Sequence, residues 1–128
     1  MSKFIKYNAN PAHNRIGDCT VRAISTALNQ TWEKTYVELC IQGLIMFDLP
    51  NADYVWGQYL RNKGFKRNIL PCDDGICVTV EQFCYEHPDG IYLICPKNHI
   101  IAVINGEFYD TWDSGQEILN YYWKREEV

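Results

Sequence analysis

Apolar residues return at helical spacing first and at strand spacing later, and this change of period divides the chain. Val21, Ile24 and Leu28, with Ala23 and Ala27 beside them, mark an apolar helix from Cys19 to about Asn29. Asp18 stands at its N-cap, where a carboxylate can accept the unpaired amides of the first turn. Thr31 caps a second helix carrying Trp32, Tyr36, Leu39 and Cys40 on one face and reaching Phe47 despite Gly43, with Pro50 as its break. Asn51 or Asp53 opens a third helix containing Tyr54, Val55, Tyr59 and Leu60, which Gly64 stops. Residues 65–78 read as short extended pieces and loops around Pro71 and Asp73-Asp74-Gly75. Thr79, with Gln82 three positions on, has the capping-box pattern of a short fourth helix, ended by His87-Pro88-Asp89-Gly90.

From residue 91 onward the pattern is that of strands. Segments 91–95, 99–104, 107–112 and 118–123 are predicted to be extended, and 3–8 a short edge strand. Asn105-Gly106 is the strongest hairpin signal in the chain. Helices followed by an antiparallel sheet define an α+β fold, with N-terminal helices packed on a C-terminal sheet. At 128 residues a single domain over 1–128 is expected, without repeats or linkers.

Composition narrows the function. Hydrophobic residues at 47% and charged residues at 22% are ordinary for a globular domain, and 14% aromatic residues argue against disorder. A net charge of −4 without runs of like charge gives no nucleic-acid footprint. No apolar stretch is long enough for a bilayer span, and residues 1–6 are too short and mixed for a signal peptide, so no membrane partner and a cytoplasmic location are expected. The six cysteines then read as reduced thiols. The C-x4-C-x6-C run of Cys72, Cys77 and Cys84 lacks the C-x2-C pair common in zinc sites, so no metal is expected. No phosphate-binding or dinucleotide motif is present, and no cofactor is expected. Oligomeric state is left open.

Cys19 carries the chemistry. At the first position of a helix its thiol lies near the positive end of the helix dipole, which favours the nucleophilic thiolate. The hairpin supplies its partners. With a two-residue Asn105-Gly106 turn, Ile104 faces Glu107 and Ile101 faces Asp110. Alternation then places His99, Asp110 and Trp112 on one face, with Asp110 the diagonal neighbour of His99. Asp113 points the other way unless a bulge intervenes. A carboxylate on one ring nitrogen orients a histidine and favours imidazolium, and an indole over the pair excludes water. Together these are the parts of a cysteine–histidine–acid acyl-transfer site.

At these positions the chain resembles the papain-like cysteine peptidases. In that family the nucleophile starts a central helix, the histidine begins a strand of the following sheet, and an Asn or Asp on the next strand orients it. Asp110-Thr111-Trp112 is similar to the family's Asn-Ser-Trp, whose Trp shields the histidine. Gly17-Asp18-Cys19 with Arg22-Ala23 is similar to the active-site helix of ovarian-tumour-type deubiquitinases. The general style is that of small papain-like proteins of phages and Firmicutes. The resemblance covers residues 8–30 and 91–113 and implies catalytic Cys19, His99 and Asp110, with Trp112 shielding the site. It implies cleavage of a peptide or isopeptide bond in a protein or peptide substrate. The family's oxyanion-binding Gln lies six residues before the Cys. That position is His13 here, and Asn14 is the nearest amide donor, so either residue is an oxyanion candidate and either is equally a loop residue. The alternatives are an acyl transferase using the same three residues, or an inactive papain-like binding module with Trp56, Tyr59, Trp112 and Trp123 on its surface.

Overall fold

The computed structural model describes residues 2–14, 16–70 and 77–126; the loop expected around Pro71 and Asp73-Asp74-Gly75, and Cys72, lie outside the described residues. Helix α1 (Cys19–Leu28) buries Ala23, Ile24 and Ala27 of the expected stripe, and Val21 and Leu28 are partly buried against the same core. Asn29 ends it in the left-handed conformation. Helix α2 (Trp32–Met46) begins where Thr31 Oγ1 accepts the Lys34 N–H. It buries Thr35, Leu39 and Gly43, and leaves Val37, Ile41, Leu44 and Phe47 exposed. Helix α3 (Asp53–Asn62) buries Val55, Trp56, Gly57, Tyr59 and Leu60. Helix α4 (Val80–Glu86) is capped by Thr79, whose hydroxyl accepts the Gln82 N–H.

The strands are β1 (Phe4–Lys6), β2 (Phe65–Ile69), β3 (Ile91–Pro96), β4 (Ile101–Ile104), β5 (Glu107–Asp110) and β6 (Leu119–Arg125). They form one six-stranded sheet in the order β1-β5-β4-β3-β6-β2. The fold is α+β, but the sheet is neither wholly C-terminal nor wholly antiparallel. β1 runs parallel to β5 at one edge, and β2 closes the other edge against β6. The extended pieces expected within 65–78 include β2, but its place in the sheet was not expected, because only Phe65 of that strand is buried. Its exposed Lys66 and Arg67 suit an edge strand rather than an alternating core strand.

Side chains alternate across the sheet, so it divides the interior in two. Leu93, Cys95, Ala102 and Trp123 meet the helices α1, α2 and α3, with Ile24, Leu39 and Leu60 among the partners. Ile94, Ile101, Val103 and Phe108 meet Val80, Phe83 and Cys84 of α4 on the opposite face. The hairpin has the expected register, with Ile104 opposite Glu107 and Val103 opposite Phe108. Asn105 (φ 49°) and Gly106 (φ 78°) both take positive φ, as a two-residue turn of this hand requires. Among the described residues, no helix is long and apolar enough to cross a membrane. Cys19, Cys40, Cys84 and Cys95 are free thiols. Cys77 is disulfide-bonded, contrary to the reading of all six as reduced. That reading came from the expected compartment, which does not constrain any individual sulfur.

Candidate active site

Helix α1 starts at one end of the sheet, beside the turn that leads into β4. Cys19 is its first residue and is only partly buried. His99 lies just ahead of β4, where Asn98 takes a positive φ of 58° and the His99 N–H donates to the Pro96 carbonyl at 3.3 Å. This turn matters for direction. Ile101 and Val103 point to the α4 side of the sheet, so a histidine continuing β4 in strict alternation would face away from α1. The expected strand over 99–104 begins instead at Ile101. The irregular backbone ahead of it turns the ring back toward the start of α1.

His99 is held from both sides. Its Nε2 lies 2.7 Å from Asp110 Oδ2. Cys19 is close enough to the same ring for the two groups to shift each other's ionisation. Asp110, the last residue of β5, is 3% exposed, so its charge depends on protein donors. Oδ2 also accepts the Ser114 hydroxyl at 2.6 Å, and Oδ1 accepts the Thr111 N–H at 2.8 Å. Trp112 stacks over the imidazole with centroids 5.8 Å apart and planes 25° from parallel, while half of it remains exposed. Asp113 is spent elsewhere: its Oδ1 accepts the Gly115 N–H at 3.1 Å.

These contacts set the charge states. For His99, burial alone disfavours the cation. The hydrogen bonds to Asp110 and Cys19 and the negative charges of both outweigh it and raise the pKa to about 9. Burial likewise opposes ionisation of Cys19. The His99 hydrogen bond and charge, the Ile100 N–H and the Arg22 charge together bring its pKa below the ordinary thiol value. Burial pushes against an ionised Asp110 as well, but His99, Ser114 and the Thr111 amide lower its pKa. The other buried thiols behave oppositely, since burial pushes Cys84 and Cys95 up to about 12. The pair is thus shifted toward thiolate on Cys19 and toward imidazolium on His99.

Asp18 does not cap α1 with its side chain. Its backbone (φ −104°, ψ 22°) is not the extended conformation that aims a carboxylate over the first-turn amides. The carboxylate instead accepts Asn10 Nδ2 at 3.1 Å and Trp32 Nε1 at 3.0 Å on Oδ2, and Arg22 Nε at 2.8 Å on Oδ1. Arg22 thereby balances the negative charge adjacent to Cys19. Its Nη1 also reaches Thr111 Oγ1 at 3.3 Å and lies 3.7 Å from Asp110 Oδ1. The sequence reading gave Arg22 no role beyond its place in a motif, although its spacing four residues after Asp18 on a helix is an ion-pair signal. It likewise missed Ser114.

A cleft of about 400 Å³ opens over Cys19 and His99. Asn51, Asn98 and Asn120 line it. His13 and Asn14, the expected oxyanion donors, do not. They are exposed and line a separate depression with Gly17, Asp18, Arg22 and Thr111. Among the described residues no group of three or more His, Cys, Asp or Glu gathers in a way that could hold a metal. The structure thus presents an α+β domain with Cys19 beside a hydrogen-bonded His99–Asp110 pair at one end of its sheet. No family model matches the chain, and neither a curated protein nor a solved structure matches it.

Proposed function

We propose that this protein is a papain-like cysteine hydrolase that cleaves a peptide or isopeptide bond. One observation carries the reading: the His99 ring is bonded through Nε2 to the buried Asp110 carboxylate and lies beside the Cys19 thiol, and the two rim the same cleft. In the reaction Cys19 Sγ attacks the carbonyl carbon and a C–S bond forms. The electron pair moves to the carbonyl oxygen, where the unpaired N–H groups at the start of α1 offset its charge. Collapse breaks the C–N bond, and the imidazolium proton of His99 passes to the departing amine. Water, deprotonated by the now neutral His99, then hydrolyses the thioester, releases the acid and restores the ion pair. Asp110 keeps the ring oriented throughout and favours its cationic form.

The test compares alkylation with turnover. Iodoacetamide should modify Cys19 rapidly well below the free-thiol pKa of about 8.5, while Cys84 and Cys95 stay unreactive, as mass spectrometry of each cysteine reads directly. His99→Ala should move that reactivity up toward the ordinary thiol range. Peptide turnover should fall as pH rises through about 9, where His99 loses the proton that the leaving amine needs. Alkylation needs no proton donor and should show no such fall. Cys19→Ala should abolish turnover and leave the circular dichroism spectrum unchanged. Turnover that survives this substitution, or a Cys19 no more reactive than a free thiol, removes the proposal.

A further inference from the structure

Helix α2 carries apolar side chains on its outer face as well as toward the core. Thr35, Leu39 and Gly43 are its buried residues and define the inner face. On the other side Val37, Ile41, Leu44 and Ile45 recur at i, i+4, i+7 and i+8, which makes one stripe along the helix. They stay 54%, 52%, 73% and 66% exposed, and Phe47 follows at the helix end, 95% exposed. Together the five expose on the order of 700 Å², beyond the roughly 300–600 Å² of the largest apolar patch on a typical monomer. That is close to the ~800 Å² each partner gives up in a standard interface. Two charges flank the stripe, both exposed. Lys34 lies in the first turn, and Asp48 is held at the last turn by its N–H bond to the Gly43 carbonyl. Each opposes the dipole of its own helix, a cation at the positive end and an anion at the negative end. The neighbouring Glu33 suits the end it occupies, and Glu38 is turned to Tyr59 and Lys63.

We propose that this stripe is the interface of a homodimer, in which the α2 helices of two copies pack antiparallel across a two-fold axis near Ile41. Positions symmetric about 41 then stand level. Ile41 meets its own counterpart, and Val37 of each copy meets Ile45 of the other. Lys34 of each copy comes to Asp48 of the other and to the negative end of the other helix, so both misplaced charges gain the partner their own helix denies them. A parallel pair would set Lys34 against Lys34 and Asp48 against Asp48, which selects the antiparallel arrangement. Burial of the stripe supplies the affinity, and the two flanking ion pairs fix the register.

Sedimentation velocity over a concentration series tests it. The 128-residue chain should show a species of twice its 15.0 kDa mass. Ile41→Lys sets two ammonium groups face to face at the axis and should leave monomer at every concentration, with an unchanged circular dichroism spectrum. Lys34→Glu turns each attraction to Asp48 into a repulsion and should raise the dissociation constant about tenfold. Combining Lys34→Glu with Asp48→Lys exchanges the two charges and should restore the dimer, which a merely structural role of either residue would not do. Tyr54→Lys, on an exposed position of α3 away from the stripe, should leave the dissociation constant unchanged. A wild type that is monomeric throughout, a dimer that survives Ile41→Lys, or a charge exchange that fails to restore the dimer would each overturn the assignment. A monomer that floats with phosphatidylcholine vesicles would overturn it too and give the stripe to a lipid surface.

Discussion

At the scale of single residues, Arg22 joins helix α1 to the hairpin that carries Asp110. Its Nε–H donates to Asp18, and its Nη1 lies near Thr111 and Asp110. The arginine side chain is 15% exposed, and the two carboxylate side chains are 5% and 2% exposed. Both anions therefore depend on protein partners rather than water. Replacing Arg22 with Met keeps the apolar stem and leaves the two charges without their shared cation. A loss of about 3 kcal/mol is expected, as when one partner of a buried ion pair is removed, measured by urea denaturation. Arg22→Lys should recover only part of it, because an ammonium cannot place donors on Asp18 and Thr111 together. An unchanged urea midpoint in Arg22→Met would show that Asn10, Trp32, His99 and Ser114 satisfy the carboxylates unaided.

At the scale of elements, the end of α2 shapes the rim of the site. Phe47 turns the chain in the left-handed conformation (φ 56°), and the Asp48 N–H returns to the Gly43 carbonyl at 2.9 Å. This reversal leads directly to Pro50 and Asn51 beside the reactive cleft. It needs Gly43. A Cβ there would stand 2.6 Å from the Asp48 carbonyl oxygen and 3.2 Å from the Pro50 nitrogen, and both are backbone atoms. Helix propensity alone favours Ala over Gly by about 1 kcal/mol. The clash outweighs it, and Gly43→Ala is expected to destabilise the protein by about 2 kcal/mol. Thermal denaturation measures this, and a raised melting temperature would mean that the turn yields at little cost.

At the scale of the molecule, the site exists only where two layers meet. Cys19 belongs to the helical layer, and His99 and Asp110 belong to the sheet. Leu93 sits in the interior between them, in β3, with no exposure. Leu93→Ala should cost about 3 kcal/mol through lost burial and the cavity it leaves. Because neither layer holds the Cys–His pair alone, the low-pH reactivity of Cys19 and the tryptophan fluorescence should be lost together in each protein, at a lower urea concentration in the variant than in the wild type. Loss of reactivity at a lower concentration would show that the two layers part before they unfold.

Local chemistry made much of this legible in the amino-acid order. Apolar spacing marked α1, α2 and α3, hydroxyl caps marked the starts of α2 and α4, and Asn105-Gly106 set the register that brings Asp110 to the level of His99. Such signals act within a few residues, so they survive in the linear order. The position of Cys19 at a helix start and the place of Trp112 near the histidine were legible for the same reason. Tertiary structure decided what depends on distant partners. It paired β1 in parallel with β5 and added β2, whose exposed charged residues carry no alternating signal. It broke the strand pattern ahead of β4 so that His99 turns to the helix. It drew Asp18 away from the cap to Asn10, Trp32 and Arg22, placed Ser114 on Asp110, and left His13 and Asn14 outside the cleft. A buried charge takes whichever donors the packed chain brings to it, and packing is a property of the whole chain.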